Sequence, residues 1–407
     1  MRWALCIPLI LWFSSLQGQT ADLDRLESRF HKAVETGNTG SARKAFLDLF
    51  RKDSLRGARL EPQLHGVAYN PDDPTEEELR TMVAVYRVGL EGEPENRAKW
   101  LNGRGVFAFR WHERIPEAGE WLLQALEADV LQADLALVDM WRECSVEAWS
   151  RRREAIGRGS LVEQWGRMDR VLYLREIAQE AANEAVSLRL EMRQMVLELL
   201  GGCKGIGNVR WENATQAFHA FALCPNTFEN KLISYEVELT DDPAWALRMQ
   251  GNAALNKGDS EAFLSLFERA LRLEKHPLLV ADLHRQRASA LSKAGNYRGA
   301  ASELKKAIRS APDWGIGYLR LANLYLSTTA ECNLGEFDRK AVYWLALDVI
   351  LEGRNKSGGF DQSFNEAYIR YTAKMPTIEE AGFRGLSAGD TWPIKCWMNT
   401  VTTVKHQ

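Results

Sequence analysis

Histidine is scarce in this chain, with seven in 407 residues, and no two of them fall within four positions of each other. Cys-x-x-Cys is absent as well, so the ligand spacings of zinc sites are missing, and no metal or other cofactor is expected. An excess of one charge is lacking too. The 52 Lys and Arg stand against 55 Asp and Glu, a formal net charge of −3. That balance creates no field to draw in nucleic acid or an anionic membrane, so nucleic acid is not expected as a partner. Beyond the first twenty residues no apolar run is long enough to span a bilayer, and the mature chain is expected to hold no integral membrane segment. His-Glu-x-x-His does not occur, the chain is read as lacking a nucleophile elbow, and paired acids such as Asp241-Asp242 stand at helix starts, where they cap. The expectation is a protein that is not an enzyme.

What is present begins with a three-part leader. Arg2 is basic, Ala4 to Phe13 is apolar, and Ser14 to Ala21 is small and polar. This is the layout of a secretory signal peptide, spanning 1–18 or 1–21. Cys6 lies inside the apolar run, which argues against a lipoprotein signal. An exported chain, periplasmic or secreted, is the consequence. Export leaves Cys144, Cys203, Cys224, Cys332 and Cys396. Cys203 and Cys224 flank one short segment and form a natural local pair. A Cys332–Cys396 bond would tie the tail to the preceding helices, worth about 2–4 kcal/mol. Cys144 is then left as a buried thiol. The alternative is five reduced, buried cysteines. His219, between Cys203 and Cys224, is read as packing or lying beside the disulfide partners rather than as a ligand.

The chain repeats itself from Pro243 to about Gly353. The clearest copy has His284, Arg287-Ala288 and Leu291, a turn at Gly295-Asn296-Tyr297, then Ala300, Leu304, Ala307 and Pro312. The next copy opens in step with Tyr318, Leu321-Ala322 and Tyr325, so that Ala322 follows Ala288 by one 34-residue period. A looser copy precedes both, with Leu247, Gln250-Gly251, Ala254, Lys257-Gly258-Asp259, Phe263, Phe267 and Ala270. That period and that placing of small and large residues are the tetratricopeptide (TPR) pattern of paired helices. The expected fold is all-α, a TPR-like helical-hairpin solenoid (a right-handed superhelix) with a small C-terminal β-hairpin cap.

Five segments are expected: the signal peptide 1–21, a degenerate helical-repeat region 22–200, a two-cysteine connection 201–242, the TPR repeats 243–353, and a cap 354–407. Asp22 to Lys52 has the spacing of a helical hairpin broken at Gly37-Asn38-Thr39-Gly40. Leu60 to Pro74 reads as a loop, and Thr75 with Glu78 as a capping box. Ala178 to Leu199 alternates steps of three and four, which suits a packed helix or a coiled-coil seam. Gly201 to Gly207, which includes Lys204, lacks the preceding strand and the Gly-Lys-Ser/Thr ending of a phosphate loop, and reads as a break between domains. Asp242 as N-cap and Pro243 open the repeats. Thr391 to Met398 and Thr400 to Val404 read as a strand pair turning near Asn399.

The C-terminal half carries further motifs. They include Lys340-Ala341-Val342-Tyr343-Trp344-Leu345-Ala346-Leu347-Asp348, Met375-Pro376-Thr377, Cys396-Trp397-Met398 and Thr402-Thr403-Val404-Lys405. These resemble exported TPR proteins of Bacteroidota-type bacteria, a family without an assigned function. Met375 stands where that family has an aromatic, and Trp392 where it has Tyr. The resemblance covers the chain from about residue 200 onward and implies no activity.

In a TPR stack the first helix of each pair lines a concave groove. By register its polar residues are Arg248, Asn252 and Asn256, then Arg285, Ser289 and Lys293, then Arg320 and Asn323. Asn pairs with backbone amides and Arg forks onto carboxylates, so the groove suits an extended protein or peptide partner. Arg248, Asn252 and Arg320 loosely resemble the carboxylate clamp of chaperone-binding TPRs, with Ile316 in the place of its Lys. The expected function is an exported scaffold for protein–protein or peptide binding. The alternatives are an envelope hydrolase with its site in the Trp-rich N-terminal half, and a structural subunit of an envelope complex.

Overall fold

The computed structural model describes residues 6–64, 73–111, 114–115, 117–151, 157–179, 183–358 and 360–405. The start of the expected signal peptide, and part of the expected 60–74 loop, lie outside the described residues. The chain divides into two compact units, Met1–Ala148 and Trp149–Gln407. The division falls inside the 22–200 segment delimited from sequence.

The first unit contains α1 (Cys6–Glu35), α2 (Thr39–Lys52), α3 (Ser54–Ala58), α4 (Glu76–Gly92), α5 (Arg97–Arg110), α6 (Ala118–Ala128) and α7 (Ala136–Arg151), which ends just past the boundary. From α1 to α6 each helix packs on the next. Thr75 and Glu78 form the reciprocal capping box at the start of α4. Gly89 lets the indole of Trp100 lie flat on α4, where a Cβ would come within 2.4 Å of the ring. Trp100 and Trp141, part of what made this half look Trp-rich, are core residues.

The second unit contains α8 (Arg158–Ala178), α9 (Asn183–Leu199), α10 (Gly202–Gly207), α11 (Ala214–Leu223), α12 (Pro225–Ile233), α13 (Pro243–Asn256), α14 (Ser260–Leu273), α15 (Pro277–Lys293), α16 (Tyr297–Ser310), α17 (Gly315–Ser327), α18 (Glu336–Lys356), α19 (Asp361–Thr372) and α20 (Ile378–Gly382), followed by β1 (Thr391–Ile394) and β2 (Thr400–Thr403). The glycine run read as a break forms α10 instead, entered through Gly201 and Gly202 at positive φ. The stripe read as a possible seam belongs to α9, which packs on α8. Helices α13 to α19 pack each on its successor, which is the TPR-like solenoid.

The hairpins share one turn. Gly37, Gly258 and Gly295 adopt φ of 66°, 84° and 77°, the left-handed conformation that ends a helix. Asn38, Asp259 and Asn296 come next, and each side chain accepts the third backbone N–H of the next helix. Inside the α13–α14 pair, Gly251 leaves room for Phe267, whose ring lies 2.5 Å from where a Cβ would stand. Phe263 and Phe267 are fully buried with ring centroids 4.2 Å apart.

The cap is short. β1 pairs antiparallel with β2, Thr391 opposite Thr403 and Ile394 opposite Thr400. Its turn places two non-glycine residues, Cys396 and Asn399, at φ of 73° and 38°. Three ties hold it. Cys396 is bonded to Cys332, with Cα atoms 5.7 Å apart; Trp397 Nε1 donates to Thr328 Oγ1 at 3.2 Å; and Thr402 Oγ1 donates to Asp348 on α18 at 2.6 Å. Cys203 and Cys224 are also bonded, with Cα atoms 5.8 Å apart, and Cys144 is a buried free thiol. Among the described residues no helix is long and apolar enough to cross a membrane.

Replacing Cys332 and Cys396 together by Ser should lower stability by about 2–4 kcal/mol, because the 64-residue loop they close regains its freedom in the unfolded chain. Urea unfolding under non-reducing conditions reads this as a lower midpoint. An unchanged midpoint would show that the bond contributes nothing to the seating of the cap.

Candidate functional site

Helices α15, α17 and α19 line a common cup of about 610 Å³ in the second unit. Arg285, Ser289 and Lys293 come from α15, and Arg320 and Asn323 from α17. Arg370 and Tyr371 come from α19, Lys374 lies just beyond it, and Tyr343 of α18 completes the aromatic part of the wall. Ala288, Leu304 and Leu324 supply apolar surface. Among the described residues, five cations line the cup and no carboxylate does.

The acid that steadies this charge lies beneath it. Asp282 is fully buried and accepts hydrogen bonds from Arg285 Nε at 2.7 Å, from Gln286 Nε2 at 2.6 Å and from the Tyr173 hydroxyl of α8. Burial alone would raise the Asp282 pKa, but Arg285 and Arg248 outweigh it and hold the carboxyl below its usual range. Arg285 is thus anchored from below. Arg320 is not anchored: no hydrogen bond or ion pair from a described residue reaches its guanidinium. Partial burial, and then the nearby Arg285, lower its pKa from the usual arginine value. An anion in the cup would relieve that repulsion.

Of the eight groove residues expected from sequence, the cup gathers Arg285, Ser289, Lys293, Arg320 and Asn323. Arg248, Asn252 and Asn256 are not among its lining. Arg248 in particular is a correction. It is only 5% exposed, with its guanidinium carbon 3.7 Å from the ring centre of Tyr173 and 4.5 Å from that of Trp245. Its Nε and Nη1 are buried without a hydrogen-bond partner. The reason is α8, which packs against α15 and brings Tyr173 onto Trp245 and Asp282. Trp314, just before α17, donates from Nε1 to the Ile177 carbonyl of the same helix at 2.7 Å. The clamp arrangement of Arg248, Asn252 and Arg320 therefore does not assemble. Asn252 is half-buried and Asn256 exposed.

Sequence reasoning missed Arg370, Lys374, Tyr343 and Tyr371. The available signal was the stripe Phe364, Ala367 and Tyr371, whose spacing gives α19 the buried face of a third inner helix. It also missed a pentapeptide. Gly385-Leu386-Ser387-Ala388-Gly389 has the Gly-x-Ser-x-Gly spelling, contrary to the reading that none occurs. An elbow needs a strand entering and a helix leaving. This pentapeptide follows α20 and precedes β1, and the Ser387 backbone N–H donates to Asp390 at 2.7 Å. It forms a surface turn in the cap. His219 is buried against Trp165 and Phe218, and burial lowers its pKa. Burial likewise pushes the Cys144 thiol up to about 12, which leaves it unreactive. Among the described residues no group of three or more His, Cys, Asp or Glu is placed to hold a metal.

No protein-family model matches the chain. Solved structures similar to it include the TPR2AB-domain–pHSP90 complex of yeast Sti1, at 16% identity over 68% of this chain and 99% of that one, with a TM-score of 0.25. The human IFIT1 dimer with m7Gppp-AAAA is similar at 11% identity over 86% of each chain, with a TM-score of 0.33. The P58(IPK) TPR domain is similar at 14% identity over 86% of this chain and 98% of that one, with a TM-score of 0.21. Likeness at this level carries no argument about a ligand or a residue's role.

The α15 wall of the cup is tied to α16 by Glu303, which accepts from His284 Nδ1 at 2.8 Å and from Lys306 at 2.6 Å. Burial alone would raise the Glu303 pKa, but these hydrogen bonds and nearby Arg287 hold it at about 2. A carboxyl whose pKa is lower folded than unfolded adds stability that is complete above its ordinary value of 4.5 and drains away as pH falls towards 2. Glu303→Gln should therefore be less stable than the parent at pH 7 and lose less on acidification. Urea midpoints from pH 7 to pH 2 measure this; parallel curves for the two proteins would contradict it.

Proposed function

We propose that this chain is a non-enzymatic binding scaffold, and that the cup of its second unit takes an acidic, extended peptide segment of a partner protein. The observation that carries the reading is a concave site lined by Arg285, Lys293, Arg320, Arg370 and Lys374 with no carboxylate among the described lining residues. Arginine forks and lysine ammonium groups match carboxylates, and the Tyr343 and Tyr371 rings and leucine flanks accept the aliphatic stems of acidic side chains. The net charge of −3 does not oppose this, because contacts at a few ångströms outweigh the screened field of a whole surface. Export to an oxidising compartment, periplasmic or secreted, is part of the same reading. The leader-like start and the two cystine bridges support it. The C-terminal motifs support a place among exported TPR proteins of Bacteroidota-type bacteria.

The test uses the full chain and two fluorescein-labelled peptides, hexaglutamate and hexaglutamine, with binding followed by anisotropy. Hexaglutamate should bind more tightly, and its affinity should fall as salt is raised, since added ions screen the charge contacts. Arg320→Ala should weaken it by about tenfold, the usual scale for losing one charge-assisted hydrogen bond. Equal binding of the two peptides, or an Arg320→Ala variant as tight as the parent, would refute the reading.

A further inference from the structure

The cup contains one polar side chain whose two ends are not equivalent. Asn323 lies on α17 facing α19, and the Tyr371 hydroxyl donates to its Oδ1 at 2.7 Å. Asn323 Nδ2 has no hydrogen-bond partner among the described residues. Because the amide is planar with oxygen and nitrogen at opposite corners, fixing the oxygen also fixes where the two N–H bonds point.

The arrangement is directional for a reason. Tyr371 is buried, and the protein acceptor its single proton finds is Asn323 Oδ1. Its oxygen already faces Arg370 Nη2 at 3.5 Å, and no lining carboxylate is at hand to take the proton instead. Turning the amide over would set Nδ2 against the phenol oxygen, which Arg370 already faces, and leave the Tyr371 proton without its acceptor. Burial also raises the Tyr371 pKa, so the hydroxyl remains a donor throughout the neutral range.

An asparagine with both ends free can clasp a peptide group, accepting its N–H while donating to its C=O. Asn323 has its oxygen turned to Tyr371, so the end it leaves free is the Nδ2 donor. Resting on the proposed function of the cup, we infer that Tyr371 fixes the Asn323 amide with its Nδ2 donors free, and that the ligand group read at this position is an oxygen acceptor, a carboxylate, in place of a peptide N–H. Arg320 lies three positions, just under one helical turn, earlier on α17 and lines the same cup, so the oxygen received by Asn323 sits within reach of an unpaired cation. In these terms Asn323 determines specificity and Tyr371 positions it.

The experiment compares the ratio of hexaglutamine to hexaglutamate dissociation constants in the parent, Tyr371→Phe and Asn323→Asp, with circular-dichroism melts to confirm folding. Tyr371→Phe changes no charge but frees the amide to rotate. It should cut the ratio by about fivefold to tenfold, almost wholly through weaker hexaglutamate binding. Asn323→Asp keeps the acceptor for Tyr371, removes both donors and adds a negative charge, and should cut the ratio further. An unchanged ratio in Tyr371→Phe overturns the inference, and so does an equal loss of both peptides, which would make Tyr371 simple structural support. If hexaglutamate preference and its loss in Arg320→Ala hold while both variants keep the parent ratio, the cup reading stands and only this inference fails. If the parent shows no preference, both fall together.

Discussion

The second unit depends on one buried carboxylate. Asp282 receives a hydroxyl from α8, an amide and a guanidinium from its own α15, and the charge of Arg248 on α13. A lone ionised carboxyl at that depth would be prohibitively costly, and it is tolerable only because each of these partners reaches it. In exchange it fixes two things. It sets the position of Arg285 at the base of the cup, and with Tyr173, Trp245 and Arg248 it forms a packed cluster beside the start of α13. The cup itself is the part lined by α15, α17 and α19.

The far side of the cup is supported in a similar way by the tail. Trp344 and Asp348 on α18 hold the end of the chain through Lys405, just past β2. Trp344 Nε1 donates to the Lys405 carbonyl at 3.1 Å, and the Lys405 ammonium pairs with Asp348 at 2.5 Å. Helix α18 carries Tyr343 into the cup and packs on α19, which brings Arg370 and Tyr371. A solenoid must cover its last apolar face, and here the cap does so with a strand pair and a cystine. The cap therefore bears on the binding site through the helix it sits on, although none of its strand residues lines the cup.

Local features of the chain are legible in sequence. Gly258-Asp259 and Gly295-Asn296 announce their turns because a left-handed residue and an N-cap each need a particular side chain, and Gly37-Asn38 announces another of the same kind. The two cystine pairs are among the pairings the sequence suggests, beside the alternative of reduced thiols, and the structure forms both bonds. The features that resist reading are long-range. Arg248 has the register of a groove residue, and nothing within a helical turn of it signals that Tyr173, 75 positions earlier, will cover it. Helix α19 is legible as a helix but not as a third wall of the groove, because an insertion before α18 breaks the 34-residue period. The one-sidedness of Asn323 depends on Tyr371, 48 residues away, and no pattern in the sequence expresses such a pair.

Hydrogen exchange of the full chain with and without hexaglutamate, read by mass spectrometry, tests the central claim most directly. The account predicts added protection in 285–293, 320–327 and 370–374, with residues 1–148 unchanged. Protection confined to residues 1–148, or none in the three cup segments when the peptide is bound, would contradict it.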